Sequence, residues 1–570
     1  MICRDWATQV NIHGDKRIST SSFMPPRSST PLPEWTDASE DEMDENENRN
    51  QYDPSYVLSD VSLDKYVLDH HIILCSAQTD LFSFFRDSTV NTAVPLYEER
   101  KFIVFESSLD ELLSVCPLCS HPCRAIDKTV KGILLQVTRM CINHHVSTWA
   151  TQPIINWKAA GSLLLSAAVF FSGCKASKFF RALRSVGVAC SSDKTHFRVQ
   201  NAFVIPAVTK VWTHHQNVLF DEAIGCPLQV AGDGRADSPG HSGKYGTYSL
   251  LDIEQNKVLH IETLQSNETK GSNHMELEGL KRTLQICEAN GLEISTLVTD
   301  RHSQIKAFTS KETCIEHSFD CWHVAKMLKK KLTAAAKLKK FQELTLWIPA
   351  VINHLYWCAL SSRAQPELIL AKWCSLVRHV VDIHVHDESL YPRCEHEPLP
   401  KKKWLEEGSP AHQKLKAIVL NKALLKDIPR LSTSAQTFAV ECFHSTITQF
   451  APKNTHFGYS SMVARTRLAA LHYNENSARQ QATTDNGTKR WLVKYPKAKK
   501  AAVVAPVKES CTYGYVKELL KCAVDLCQNA SSYREASART SVNVPPPLSS
   551  NFEQADKEAL VAAHTRRFNI

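Results

Sequence analysis

The sequence predicts an α/β protein, and three observations carry that expectation. Between residues 225 and 325, apolar β-favouring runs alternate with helical stretches in the order strand, hairpin, helix, strand, helix, strand, helix. Carboxylates close two of those strand runs, at Asp233 and Asp300. A Cys/His cluster and a helical block precede this region, and a long helical stretch follows it. The chain has 570 residues, 43% hydrophobic and 22% charged, enough for several ordinary cores. That balance excludes a wholly disordered, collagen-like or coiled-coil protein.

Membrane and secretory classes are excluded next. The longest apolar run, Leu163 to Cys174, falls short of the roughly 20 residues a bilayer span needs, so no membrane partner is expected. The opening MICRDWATQV has no basic stretch followed by an apolar one, so no secretory signal is expected. Nineteen cysteines then read as thiols or metal ligands of an intracellular protein. The formal charge of +8 is modest, so its distribution matters more than its sum. Residues 1–65 read as a disordered acidic tail, since Glu34 to Glu47 holds eight acids and no base. Residues 481–570 read as a basic stretch followed by a mostly disordered C-terminal tail.

The first ordered motif is Cys116-Pro-Leu-Cys119, a gap of 21 residues, then Cys141-Ile-Asn-His144. Two short ligand pairs at this separation match a zinc ribbon, in which a hairpin brings two knuckles together. Soft thiolates with one imidazole suit a structural Zn²⁺. His145 can replace His144, and Cys123 or His121 can stand in for a cysteine. The segment from Lys175 to Ala207 then reads helix, turn, helix. Ser191 or Ser192 caps the second helix, which would carry Lys194, Thr195, His196 and Arg198 near its start, as a DNA-reading helix does.

The acidic region follows. In PLQVAGDGRADSPG an apolar strand run ends at Asp233, with glycines that let the backbone turn. KYGTYSLLDIEQNKVLHIETLQ is a hairpin, residues 273–290 are helical, and ISTLVTD is a strand that delivers Asp300. Phosphodiester cleavage by two Mg²⁺ (or Mn²⁺) ions needs carboxylates converging from neighbouring strand ends, with the ions about 3.5–4 Å apart. Asp233 and Asp300 can meet only if their strands are neighbours, which this order permits. Asp320-Cys321-Trp322-His323 then marks a strand becoming a helix. Seven lysines and no acid occur between 326 and 340, and Lys326, Lys329, Lys330, Lys337 and Lys340 share a face that can track a phosphate backbone.

GDGRADSPG, TYSLLD, LVTDRHSQI, FDCWHVAKMLKKKL, KKWLEEGSPAH and ECFHSTITQFAPK, in that order, resemble eukaryotic cut-and-paste DNA transposases of the Kolobok group, related to mutator-like and hAT elements. The resemblance covers roughly residues 98–515. It implies an RNase H-like mixed sheet flanked by helices, a DDE set of acids and a C/D-x-x-H motif. Position by position, the acids fall on Asp233, Asp300 and Glu441, and the motif on Asp320 and His323. Glu441 heads a helix with Ala439, Phe443, Ile447 and Phe450 on an apolar face; Glu406 and Glu407 are rivals for its role. The role of His323 as ligand, orienter or proton carrier stays open. Two departures stand: with only Cys3 and Cys75 ahead of Cys116, the zinc-dependent domain that often opens Kolobok proteins cannot be built, and His144 stands where a cysteine is commoner.

The implied organisation is a zinc-ribbon domain at 66–157, a helical HTH-like block at 158–220, core parts at 221–325 and 431–480, and a helical insertion at 326–430. Within the insertion His379, His384, His386, Cys394 and His396 form a further Cys/His group. A second zinc site is expected from Cys394, His396, His384 and one other histidine, and Trp347 and Trp357 are expected to pack in the insertion core. The functional expectation is metal-dependent cleavage at transposon ends and strand transfer into target double-stranded DNA, by a nuclear homodimer or larger assembly. The rival readings are a transposon-derived host DNA-binding protein that no longer cuts and a general RNase H-like nuclease acting on RNA.

Overall fold

The structure, a computed structural model, describes residues 94–237, 243–362, 365–396, 403–432, 437–496, 501–538 and 544–564. The acidic tail expected over 1–65 lies outside them. The described residues within 58–492 and 505–570 belong to one compact unit.

After helix α1 (Glu106–Leu113) comes a three-stranded antiparallel sheet in the order β1 (Cys123–Lys131), β2 (Leu134–Cys141), β3 (Val146–Ala150). A two-stranded ladder, β4 (Ile154–Ile155) with β5 (Lys158–Ala159), leads into helices α2 (Ala160–Phe171), α3 (Ala176–Ser185) and α4 (Asp193–Val199). A π-helical turn, Gln200–Val204, joins α4 to α5 (Ile205–Ala223). Ser192 makes the expected cap, accepting from Thr195 N at 3.2 Å.

The central sheet has five strands: β6 (Leu228–Ala236), β7 (Tyr245–Asp252), β8 (Lys257–Gln265), β9 (Ile294–Thr299) and β10 (Glu316–Phe319). Their order is β10-β9-β6-β7-β8. The first three in sequence are antiparallel, and β9 and β10 run parallel to β6. Helix α6 (Met275–Ala289) carries the chain from β8 back to β9, and α7 (Ser303–Glu312) carries it from β9 to β10. This is a mixed α/β sheet flanked by helices. Every residue of β7 is buried, because helices cover both faces of the sheet there. Val230, Tyr248 and Leu250 pack with Leu280 of α6 and Ile305 of α7 on one face. Ala231, Leu251 and Ile261 pack on the other with α2, α5, α13 (Phe438–Phe450) and α14 (Tyr459–Asn476).

Between β10 and α13 the chain builds a second core from α8 (Cys321–Ala336), α9 (Leu344–Ser361), α10 (Pro366–His379), α11 (Pro410–Val419) and α12 (Lys422–Asp427). This is the helical insertion. Trp347 is buried in it, as expected, and Trp357 is partly buried against it. By length and composition α9 alone among the described helices could cross a membrane; it is a packing helix here, with Leu344, Trp347, Val351, Leu355 and Cys358 buried.

Three expectations need correction. Asp233 does not end its strand: β6 runs on to Ala236, so the flanking glycines do not turn the chain. They permit close approach instead. A Cβ on Gly232 would lie 2.1 Å from the Tyr248 hydroxyl, and one on Gly234 would lie 2.4 Å from Glu276 Cγ. Secondly, the C-terminal region is not a mostly disordered tail. Helix α15 (Gly514–Gln528) buries Tyr515, Leu519, Val524 and Cys527 in the main core. Asn156 and Trp157 donate to the backbone carbonyls of Cys527 and Ala530 at 3.0 and 3.1 Å. Its apolar stripe recurs at helical spacing, and Ser/Pro-rich neighbours obscure that signal. Thirdly, the helical block is no free-standing module, since α2 and α5 share the core of the central sheet.

Candidate functional site

Strand pairing brings the two aspartates together. Ala231 of β6 lies beside Val298 of β9 in parallel register, so Asp233 and Asp300 come level at the carboxyl end of the sheet. Asp300 follows the last residue of β9, and its Oδ1 accepts from His302 N at 3.0 Å. Burial, with the Asp233 charge second, raises the Asp300 carboxyl above the usual range.

Glu441 arrives on the first turn of α13. Its Oε1 lies 3.5 Å from His323 Nε2, so the sequence-assigned glutamate and the histidine of the DCWH motif meet. Burial opposes protonation of His323, but Glu441, Asp320 and Asp300 outweigh it and raise its pKa. The apolar face of α13 uses Val440 with Phe443, Ile447 and Phe450; Ala439 is only partly buried. The rivals Glu406 and Glu407 are exposed on the loop ahead of α11.

One turn beyond Glu441, His444 Nδ1 lies 3.4 Å from Asp233 Oδ2. Sequence reasoning missed this residue, although the E-x-x-H spacing puts both side chains on one helix face. Arg235 was missed as well. It is buried, bonds Asp237 Oδ1 at 2.7 Å, and donates to the His444 carbonyl and to Thr448 Oγ1, which seats α13 on β6.

Asp320, only 2% exposed, holds the assembly together. Its Oδ1 caps α8 by accepting from Trp322 N at 2.7 Å. Its Oδ2 accepts from Thr437 N at 2.8 Å and from the Thr437 hydroxyl, at the residue preceding α13. One carboxylate therefore fixes the starts of the His323 and Glu441 helices. The insertion departs along α8 and returns beside β10, where Phe319 bridges Leu431 and Ser432 N donates to Phe319 O at 2.9 Å. Asp427, at the end of α12, accepts from Arg301 Nε at 3.0 Å and from Lys306, tying the insertion to the segment after Asp300.

A fourth acid, Glu276 of α6, was also missed. Its side chain lies over Gly234, and its Oε2 is 3.9 Å from His302 Nε2. Burial, then the Asp300 and Asp233 charges, push its carboxyl up to about 8. A raised carboxyl favours the folded state most below its ordinary value, and this contribution is lost as pH rises through about 8. In cation-free buffer, stability should therefore fall less between about pH 5 and about pH 9 in Glu276→Gln than in the parent. Thermal unfolding in EDTA checks this, and identical slopes would refute it.

The lysines of α8 line a solvent face beyond this site. Lys326, Lys329 and Lys330 are exposed, opposite buried Val324, Leu328, Leu332 and Ala335. The expected helix through residue 340 is corrected: α8 stops at Ala336, so Lys337 is its exposed cap and Lys340 is exposed on the separate 3-10 turn Lys339–Phe341. An open groove lined by His323, Lys326, Met327, Lys330, Lys331 and Ala334 runs from the histidine along this face. On α4, Lys194 and Arg198 are exposed. His196 is not: it is 1% exposed, packs edge-on against Phe180, and burial lowers its pKa to about 4.

Two Cys/His groups can hold a metal ion, each with four ligand atoms within 4.8 Å of one another. The first is Cys116, Cys119, Cys141 and His145. His145 replaces the expected His144, which adopts a left-handed φ of 59° in the turn after β2 and is exposed. Burial opposes ionisation of Cys116, but hydrogen bonds from the Leu118 and Cys119 backbone outweigh it and lower the thiol to about 6. The second is His379, His384, Cys394 and His396, so the open fourth position falls to His379 at the end of α10. His386 lies outside that set of four, but it borders it: its ring stacks on Tyr391 and its Nε2 lies 3.3 Å from Cys394 Sγ. No third group among the described residues is as tight. Asp233, Asp300 and Glu441 do not form such a group.

Comparison with protein-family models finds no match to the chain, and comparison with curated proteins finds none.

Proposed function

We propose that the protein is a DDE-type DNA transposase of the Kolobok-like and mutator-like kind, with an RNase H-like core. The observation that carries the reading is the level pairing of Asp233 with Asp300, joined by Glu441 through His323. The sheet order supports the fold assignment: three antiparallel strands with the first central, then two more added parallel to it across alternating helices. The donor set fits hard divalent cations, because burial and then the Asp233 charge raise the Asp300 carboxyl, and a cation held between the two aspartates would relieve that repulsion. Asp233, Asp300 and Glu441 would hold Mg²⁺ (or Mn²⁺), which would supply an activated water and stabilise the leaving 3′-oxygen.

The chain's own residues do the rest. Asp320 and Arg235 hold the Glu441 helix over the sheet, and His323 stands between Glu441 and the lysine groove. Lys326, Lys329, Lys330, Lys337 and Lys340 would follow the phosphate backbone of double-stranded DNA, with Lys194 and Arg198 contributing from α4. A nuclear location follows from a chromosomal DNA substrate, and a homodimer or larger assembly from the need to bring two ends together. Zinc is the metal proposed for both Cys/His groups, where four protein ligands leave no position open for chemistry. Purified protein should carry two zinc ions per chain by elemental analysis, and Cys119→Ser and Cys394→Ser should each remove one. Unchanged zinc content in either variant would refute that centre.

The test of function is a strand-transfer assay. DNA flanking the gene supplies candidate ends, incubated in Mg²⁺ or Mn²⁺ with the parent chain and with Asp300→Asn. Nicking and joining by the parent alone supports the transposase. Tight binding without cleavage in either metal would favour a retained DNA-binding protein, and preference for hybrid substrates over duplex ends would favour an RNase H-like nuclease acting on RNA.

A further inference from the structure

We propose that His444 is a positioning residue for Asp233: braced by Ser249 on its far side, its ring fixes one oxygen of the Asp233 carboxylate and leaves the other to a cation. The role rests on reading Asp233, Asp300 and Glu441 as a cation centre. It adds a residue outside both the DDE set and the DCWH motif.

Strand register places the three groups together. In the antiparallel pairing of β6 with β7, Asp233 stands directly opposite Ser249, and cross-strand partners project from the same sheet face. Helix α13 packs on that face and brings His444 between them. Its Nδ1 lies 3.4 Å from Asp233 Oδ2, and its Nε2 lies 3.1 Å from Ser249 Oγ. Ser249 is fully buried and the His444 side chain is 13% exposed, so the ring has little room to turn. An ionised carboxylate only accepts, so Nδ1 carries the ring proton toward Asp233 and Nε2 accepts from the Ser249 hydroxyl.

The backbone of His444 is pinned as well. Arg235, two residues along β6 from Asp233 and therefore on the same face, donates to the His444 carbonyl and to Thr448 Oγ1 at 2.9 Å. Asp237 holds Arg235 in turn, bonding it through Oδ1 at 2.7 Å while its Oδ2 accepts from the Thr247 hydroxyl. A residue kept only to fill the α13 interface needs none of these polar ties.

Each of the three acids then has its own orienting group. Asp300 accepts from His302 N at 3.0 Å, and Glu441 meets His323 at 3.5 Å. For Asp233, His444 is the one hydrogen-bonding or ion-pair partner of the side chain among the described residues. Glu441 and His444 share one turn of α13, so a single rigid element sets where Glu441 stands and how Asp233 is turned.

The experiment is a Mn²⁺ titration of the full chain by calorimetry, with thermal unfolding in EDTA as the measure of folding. It compares the parent, His444→Asn, His444→Gln, Ser249→Ala and Asp233→Asn. An asparagine amide reaches where Nδ1 stands, toward Asp233; a glutamine amide reaches where Nε2 stands, toward Ser249. His444→Gln is therefore expected to weaken Mn²⁺ binding about tenfold or more, and His444→Asn to stay within about threefold of the parent. Both should melt alike in EDTA, so stability does not account for the split. Equal weakening in the two variants overturns positioning through Nδ1 and leaves His444 a packing residue. Parent-like affinity in both, with binding lost in Asp233→Asn, overturns the role of His444 alone. Should His444→Gln not fold, Ser249→Ala reads the brace: a loss of about threefold or more is expected, and parent-like binding overturns the relay. Absence of binding by the parent overturns the cation centre and His444 together. If the Asn and Gln variants split as expected while the parent cuts no DNA ends, the role of His444 stands and the transposase reading falls.

Discussion

Asp300→Asn is expected to abolish nicking at element ends, by a factor of at least about 10³, while leaving DNA binding intact. The size follows from what a bound cation contributes, several kcal/mol of charge stabilisation at about 1.4 kcal/mol per decade of rate. The substitution is clean. Asparagine retains an oxygen to accept the His302 N–H, so the turn after β9 keeps its shape. It removes the charge that Asp233 and burial already disfavour, so the metal-free protein should melt no lower than the parent. The lysine face on α8 is untouched, which preserves electrostatic binding. A nicking assay beside a gel-shift titration reads both quantities. Undiminished cleavage in Asp300→Asn would remove this residue from the catalytic set.

The second large effect is expected at Asp320, which touches no proposed cation yet governs where Glu441 stands. Asp320→Ala removes the α8 cap and both bonds to Thr437. A lost cap costs about 1 kcal/mol and lost buried bonds to a charged group about 1.5–3, so destabilisation near 3 kcal/mol is expected. Cleavage should fall further than stability accounts for. Once the start of α13 is released, a shift of about 1 Å in Glu441 costs on the order of 10²-fold. Asp320→Asn separates the two roles. Its single amide oxygen can cap α8 or accept from Thr437 but not both, so stability should be partly restored and cleavage should stay low. Hydrogen exchange at the first amides of α13 reports the release, and kcat should fall while DNA affinity holds. Cleavage by Asp320→Ala within about threefold of the parent would show that the clamp does not position Glu441; threefold is about 0.65 kcal/mol, too little for such a role.

Much of this site was legible because its signals are local. Apolar runs of strand length, the helix from about 273 to 290 and the Ser192 cap are written within a few residues of one another, and α6 and α4 form where these signals lie. The C-x-x-C spacing likewise marked the first Cys/His group. The choice between His144 and His145 was not local: it depends on which residue the turn after β2 throws into a left-handed conformation. Similarly, the fourth member of the insertion group is decided by how α10 ends beside the loop that carries Cys394, which brings in His379, while His386 touches only the Cys394 sulfur of that group as it stacks on Tyr391.

The sequence by itself determined the order of strands and helices, the acids that end up beside one another, and the lysine face of α8. Each rests on periodicity or on residue types within a short window. Only the tertiary structure decided that Gly232 and Gly234 serve close approach rather than a turn, that Glu276 settles over Gly234, and that His444 meets Asp233. It also decided that Asp320 reaches across to Thr437, and that α15 completes the core. The physical reason is common to all of these: they are contacts between segments far apart in the chain. Such contacts are fixed by strand register and by how closely helices settle on the sheet, and neither is written in any one stretch of sequence.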